Sequence, residues 1–272
     1  MAEMQILYCV DEANNQYSRH LGVSLFSLFE THKKHTLHVY IISTSLAEEN
    51  QVELERIASL YGQHLHFFIG KLGDIIPKSL QDLLIWDKKG TRPFTIFYRM
   101  FFAIVFPEIK GRILYLDCDT LIINDVSSLY SVNFEGNALA GVLDVSWMRY
   151  RKKQTLGVDR YINSGVLLIN IPVFTAANWE KALLRVNEQY GEVLTHYDQD
   201  YLNLLFKGHI KIMPYQMNCL IYRPYFLPYD YKKAAILHTV NRPFLKPRIV
   251  PLGIARLYAS YLAKTKWKDF DL

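Results

Sequence analysis

Cysteine is scarce in this 272-residue chain, and the three that occur, Cys9, Cys118 and Cys219, are scattered and odd in number. They offer neither a disulfide framework nor a zinc-ligand spacing, which points to a reducing compartment and so to the cytoplasm. The opening MAEMQILYCVDEANNQY lacks a basic leader ahead of an apolar stretch. No later window approaches the ~20 apolar residues of a spanning helix, so neither secretion by that route nor integral insertion is expected. Dense runs of Lys and Arg are missing as well. The formal charge of +5 is mild, RYRKK (149–153) and KTKWKDF (264–270) read as solvated surface, and no nucleic-acid partner is implied. Internal repeats and low-complexity linkers are absent.

Half of the residues are apolar, and 31.8 kDa suffices for one large domain or a domain with a small appendage. The N-terminal half alternates. MQILYCV, LHVYIIS and HLHFFIG read as strands, with amphipathic helices at YSRHLGVSLFSLFETHK and AEENQVELERIASLYG between them. Short, continuously apolar strands belong to a parallel sheet covered on both faces, and such sheets bind ligands outside the carboxyl ends of their strands. Asp11 follows the first strand at such an end. FTIFYRMFFAIVFPEI reads as a buried helix stopped by Pro107, and RILYLD as a further strand. NALAGVLDV and YINSGVLLINI are two more strands, separated by a basic loop from Trp147 to Arg160. Helices are expected around NWEKALLRVNEQYG and QDYLNLLFKG, then a short strand at HIKIMPY. From about Met213 the pattern weakens into a segment expected to wrap the domain without a core of its own.

In GRILYLDCDTLIIND, Asp117 and Asp119 end a strand, and alternation puts both on one side with Cys118 facing away. Two carboxylates can share one hard divalent ion, Mg²⁺ or Mn²⁺, while a bound diphosphate supplies the other oxygens. Such a pair also caps helices or pairs with arginine, and its place at a strand end favours the functional reading. Phosphatases of the haloacid-dehalogenase type share a D-x-D after an apolar strand, with the first Asp as nucleophile. They favour Thr or Val where Leu121 stands and need a downstream G-D-x-x-x-D, which is not present. Three further stretches matter through their order: YINSGVLLIN with Asn163 and Ser164 ahead of a strand, YDQDYLN with Asp198, Gln199 and Asp200 at a helix start, and ILHTV with His238. Taken singly they read as a turn, an acidic helix cap and a core histidine.

Through CVDEANNQY, FYRMFF, ILYLDCDTLI, INSGVLLIN and DQDYLN, from about residue 4 to 213, the chain resembles the family 8 retaining glycosyltransferases, including the bacterial lipopolysaccharide galactosyltransferases and the general stress protein A type. The resemblance implies an α/β GT-A (nucleotide-diphospho-sugar transferase) fold, a mostly parallel central sheet with helices on both faces. It implies a UDP-sugar donor and Mn²⁺ or Mg²⁺ held by Asp117, Asp119 and His238. Cys9, Val10, Asp11 and Tyr17 would line the nucleoside pocket, with Cys118 beside the acid pair. Arg99 would hold the sugar or diphosphate, or else pair with an acid such as Asp119. Asp144, Asn163, Ser164, Asp198 and Gln199 would bond the donor sugar. Gln199, flanked by Asp198 and Asp200, would be the catalytic candidate. Relatives carry His-x-x-Gly-x-x-Lys-Pro-Trp near the C-terminus, whereas this chain reads HTVNRPFLKPR, with Asn241 at the glycine position and Lys246 two residues late. Arg242 or Lys246 could serve the diphosphate.

The implied organisation is a catalytic domain over 1–255, with a nucleotide-binding half (1–120), a donor and acceptor half (121–212) and the wrapping segment (213–255). A basic aromatic tail (256–272) follows. The expected activity is metal-dependent transfer of glucose or galactose to a carbohydrate or lipid-linked acceptor. The acceptor would meet the 147–160 loop and the aromatic stretch 222–231. Trp267, Phe270 and the tail lysines are candidates for peripheral contact with the inner face of the membrane. A nucleotide-sugar binder without turnover is the alternative that the altered C-terminal motif raises.

Overall fold

In a computed structural model the described residues are 3–10, 16–74, 76–84, 94–144, 153–176, 178–221, 231–239 and 250–269. The first strand, β1 (Glu3–Val10), lies between β2 (Thr36–Ser43) and β4 (Arg112–Leu116), parallel to both, and β3 (His64–Ile69) extends β2 in parallel. Helix α1 (Gln16–Thr31) makes the first crossover and α2 (Glu48–Ser59) the second. Their apolar residues explain this. Leu21, Leu25, Leu28 and Phe29 recur at helical spacing and are buried on α1, as are Leu54, Ile57 and Ala58 on α2. Each fully buried Leu, Ile or Phe contributes roughly 1.5–3 kcal/mol. The faces of this sheet therefore hold it more firmly than its hydrogen bonds, worth about 1 kcal/mol net apiece.

The remaining strands are β5 (Thr120–Ile122), β6 (Leu139–Leu143), β7 (Ile162–Asn170), β8 (Ile210–Ile212), β9 (Cys219–Leu220) and β10 (Ile236–His238). A seven-stranded sheet runs in the order β3-β2-β1-β4-β7-β6-β8. It is mostly parallel, as the resemblance implied, but β7 is antiparallel to both β4 and β6. That single reversal places the start of β7, rather than its end, beside the end of β4. Helices α3 (Tyr98–Val105), α4 (Trp179–Tyr190), α5 (Tyr197–Leu205) and α6 (Leu252–Leu262) follow in chain order. One apolar cluster holds Ile6, Tyr8, Val10, α1, α2 and α6, and another holds Leu7, α3, α4 and α5, so both faces of the sheet are covered.

The structure sharpens two readings and overturns a third. Asn163 and Ser164 lie inside β7, within the strand read at YINSGVLLINI, and not in a turn ahead of it. In the segment after Met213, β9 and β10 join β5 in a three-stranded sheet, and Cys219, Ile236 and Leu237 are buried in the main core. The tail is also packed. Trp267 is only 3% exposed and seats its ring where a Cβ on Gly22 of α1 would come within 2.5 Å. Arg56 of α2 donates to the Lys264 carbonyl, and Glu53 accepts the backbone N–H of Lys266. Trp267 is thereby committed to the core and unavailable as a membrane anchor. Phe270 lies outside the described residues, as do Asp11, Asn241, Arg242, Lys246, the first part of the 147–160 loop and residues 222–230. Among the described residues no helix is long and apolar enough to cross a membrane.

Candidate active site

The chain leaves β4 at Leu116 and turns through Asp117, Cys118 and Asp119 into β5. The Asp117 N–H donates to the Gly165 carbonyl at 2.7 Å, and the Thr120 hydroxyl donates to the Asp117 carbonyl at 2.7 Å, which pins the turn. Antiparallel pairing of β10 with β5 sets His238 opposite Thr120. One ligand atom from each of Asp117, Asp119 and His238 then lies within 4.8 Å of the others. His238 Nε2 stands 3.2 Å from Asp119 Oδ1 and 3.6 Å from Asp117 Oδ2. Gly165 makes room for this: a Cβ there would come within 2.1 Å of the imidazole and 2.5 Å of Asp117 Oδ2. Two hard carboxylates and an imidazole, gathered in a cradle that one methyl group would fill, suit a divalent ion.

Beside the acids lies a buried cation. Arg99, on α3, pairs with Asp117 at 3.1 Å and Asp198 at 3.3 Å, donates to the Ser164 carbonyl at 2.8 Å, and stacks 4.2 Å from the Tyr115 ring centroid. The Tyr115 hydroxyl donates to Asp117 Oδ1 at 2.5 Å. Burial works against the guanidinium charge, but Asp117 and Asp198 outweigh it and hold Arg99 protonated. Burial pushes Asp198 up to about 6 despite Arg99, with Asp117 adding repulsion. At His238 burial lowers the pKa, yet Asp119 and Asp117 reverse the sign and leave it raised.

A ring of amides adjoins this group. Gln199 Oε1 accepts the Ser164 N–H at 2.9 Å, Asn163 Nδ2 at 3.1 Å and the Ser164 hydroxyl at 3.4 Å, while its Nε2 donates to Asp144 at 3.0 Å. Asn163 Oδ1 accepts from the Gly165 N–H and from Asn218, whose other amide atom meets His238 Nδ1 at 3.2 Å. Asp144, Asn163, Ser164, Asp198, Gln199 and His238 are all buried.

The remaining expected residues separate from this group. Asp200 accepts the N–H groups of Thr195 and His196 and the hydroxyl of Tyr161, so its oxygens serve the loop that starts α5, apart from the acid pair. Cys118 and Val10 are buried in the core, with the Cys118 thiol against the Cys9 carbonyl, and Tyr17 is 44% exposed at the start of α1. Arg99 pairs with Asp117 and Asp198, the former a neighbour of Asp119, the acid named as an example. Sequence reading passed over Tyr115, Gly165 and Asn218. For Asn218 a signal existed, an asparagine immediately before a short apolar run, but the run CLI is too short to register as a strand.

This arrangement of sheet, turn and crossing helices is the GT-A glycosyltransferase fold. A crystal structure of the galactosyltransferase LgtC with donor and acceptor sugar analogs superposes with a TM-score of 0.80 at 21% identity, covering 97% of this chain and 96% of that one. The sequence profile of glycosyl transferase family 8 matches residues 6–242, and the chain belongs to that family. It is 25% identical over 223 residues to a lipopolysaccharide 1,3-galactosyltransferase of Salmonella typhimurium, covering 79% of this chain and 63% of that protein. A lipopolysaccharide 1,2-glucosyltransferase of Escherichia coli is 28% identical over 76% of this chain and 60% of its own length. General stress protein A of Bacillus subtilis is 25% identical over 75% and 71%. The matched region thus spans about 60% of the two lipopolysaccharide enzymes.

Proposed function

We propose that this protein is a metal-dependent retaining glycosyltransferase that moves a hexose, glucose or galactose, from a UDP-sugar to a carbohydrate or lipid-linked acceptor. The observation that carries the reading is the convergence of Asp117, Asp119 and His238 at the carboxyl end of β4, with Arg99 fixed beside them. A divalent ion held by those three side chains would supply Lewis acidity to the departing diphosphate.

Breaking a sugar–diphosphate bond places negative charge on the diphosphate and positive charge on the sugar. Arg99 offers a cation already oriented by two carboxylates, a carbonyl and an aromatic face, so little reorganisation accompanies the chemistry. Oxygens for the sugar's developing charge come from Asp198 and Gln199. Gln199 Oε1 already receives three donors, so its carbonyl serves the sugar only when one of them turns away. Asp198 Oδ2 is buried and, among the described residues, accepts no hydrogen bond, with the Arg99 Nε 3.3 Å away. Asp144, Asn163 and Ser164, held by Gln199, present polar atoms suited to sugar hydroxyls. The nucleoside role of Asp11 and the phosphate role of Lys246 or Arg242 belong to the same reading.

The test is calorimetric titration of UDP into wild type and Asp119→Ala, with and without Mn²⁺. Metal-dependent UDP binding that is lost in the variant supports the reading, and release of UDP from a UDP-sugar separates the enzyme from a pure binder. Absence of UDP binding in the presence of metal rejects it.

A further inference from the structure

We infer that Asn218 is a positioning residue that fixes the imidazole of His238 in one tautomer and couples the candidate metal ligand to the candidate sugar-binding amides. The inference deepens the metal reading above and rests on it. Asn218 has no exposure to solvent and lies immediately ahead of β9, which runs parallel to the strand that carries His238. Its two amide atoms face two different parts of the site.

The polarity of every bond in the chain of amides follows from two backbone N–H groups, which can only donate. The Ser164 N–H points at Gln199, so the amide atom there is the oxygen and Gln199 Nε2 is left to donate to Asp144. The Gly165 N–H points at Asn163, so that atom is the Asn163 oxygen. Asn218, 2.9 Å from the same oxygen, must present its NH₂. Its own oxygen is then the atom 3.2 Å from His238 Nδ1, and the shared proton must sit on Nδ1. Nε2 is the nitrogen directed at Asp119 and Asp117. In the neutral ring Nε2 therefore carries a lone pair toward two carboxylates, an unfavourable contact that a cation between them relieves. Two main-chain groups on β7 thus select, through Asn163 and Asn218, the tautomer that can ligate metal.

Side chains that hold the far nitrogen of a ligating histidine typically change metal affinity by about 10–100-fold when removed. Asn218→Ala is expected to weaken Mn²⁺ binding by about tenfold or more, read by the electron paramagnetic resonance of free Mn²⁺ without substrate or turnover. Asn218→Asp still accepts from Nδ1–H but cannot donate to Asn163. It should bind Mn²⁺ nearly as wild type does while raising the KM for the sugar nucleotide more than the Kd for UDP. A role in stability alone would not divide the two variants in this way.

A third measurement needs no variant of Asn218. Histidine-selective nitrogen NMR of the Zn²⁺-loaded wild type, with His238 assigned by its loss in His238→Gln, should show a protonated Nδ1 and a metal-shifted Nε2. Unchanged Mn²⁺ affinity in Asn218→Ala, or a ring protonated on Nε2 in the Zn²⁺ form, overturns the inference while leaving the metal reading in place. A wild type that binds no Mn²⁺ overturns both.

Discussion

His32 and His238 are both almost wholly out of water, at 0% and 2% exposure, yet their surroundings push them in opposite directions. His32 follows α1, where its Nδ1 donates to the Leu28 carbonyl at 2.8 Å and its Nε2 accepts the Val126 N–H at 2.9 Å. Burial holds it below the ordinary histidine value, outweighing the Leu28 carbonyl and the exposed Asp125. At His238 the two acids outweigh burial. Removal from water sets the cost of a charge, and nearby carboxylates decide whether the cost is met. The same division separates two regions of the molecule. In the parallel half, buried Ser24, Ser27 and His32 are matched by hydroxyls and main-chain groups, as in the Ser24 bonds to Tyr8 and Thr120. Around the ends of β4, β7 and β10 buried charges face one another, as Arg99 faces Asp117 and Asp198 and His238 faces Asp119, beside a ring of amides. The body of the parallel sheet is scaffold, and the ends of β4, β7 and β10 are where charge is stored.

The largest expected effect comes from breaking that store. Arg99→Met leaves Asp117 and Asp198 without their cation and should cost about 3–5 kcal/mol in chemical denaturation, the usual penalty for removing one partner of a buried pair. Loss below 1 kcal/mol would mean that the acids are solvated in solution. The scaffold half is probed by Trp267→Ala, expected to cost about 3 kcal/mol through the cavity left against Gly22. Retention on anionic liposomes should not change with it; a fall in retention at unaltered stability would restore the tryptophan to the surface. Gly165→Ala sharpens the contrast by injuring only the charged strand ends. Its methyl must displace His238 or Asp117, and a shift of about 1 Å in such groups can lower turnover on the order of 10²-fold. Transfer rates within threefold of wild type would contradict the close approach.

The smallest effect is the pH response of His32. Its pKa is depressed in the folded state, so the stability it confers is fully present above the unfolded value near 6.5 and is lost as pH falls from there toward the folded value. Urea midpoints measured at pH 7.5 and 5 should fall for wild type, and fall less for His32→Gln. Equal slopes for the two proteins would assign the acid sensitivity elsewhere.

Much of the scaffold half could be read directly, because its strands are short continuous apolar runs and its helices keep their buried residues at helical spacing. The acid pair was legible for a related reason: carboxylates at the end of an apolar strand have no packing role. The direction of β7 was not, since an apolar strand buried on both faces looks the same whichever way it runs, and this direction is what brings Gly165 to Asp117. β5, β9 and β10 are two or three residues long and carry no period of their own. Trp267 was misread because a tryptophan among lysines has the same composition on a membrane and in a core. The notch at Gly22, far away in sequence, decides between them. Asn218 needed the third dimension, since its meaning lies in the two groups that its amide touches.

The pairing of β10 with β5 also has a consequence for synthesis. Domains begin to organise from the N-terminus as the chain emerges from the ribosome. The strands of the large sheet are all translated once Ile212 has been made, but the acid pair waits for His238. A nascent chain can therefore acquire its architecture well before its chemistry, and β10, the last strand to be translated among the described residues, acts as the closing stitch of the site.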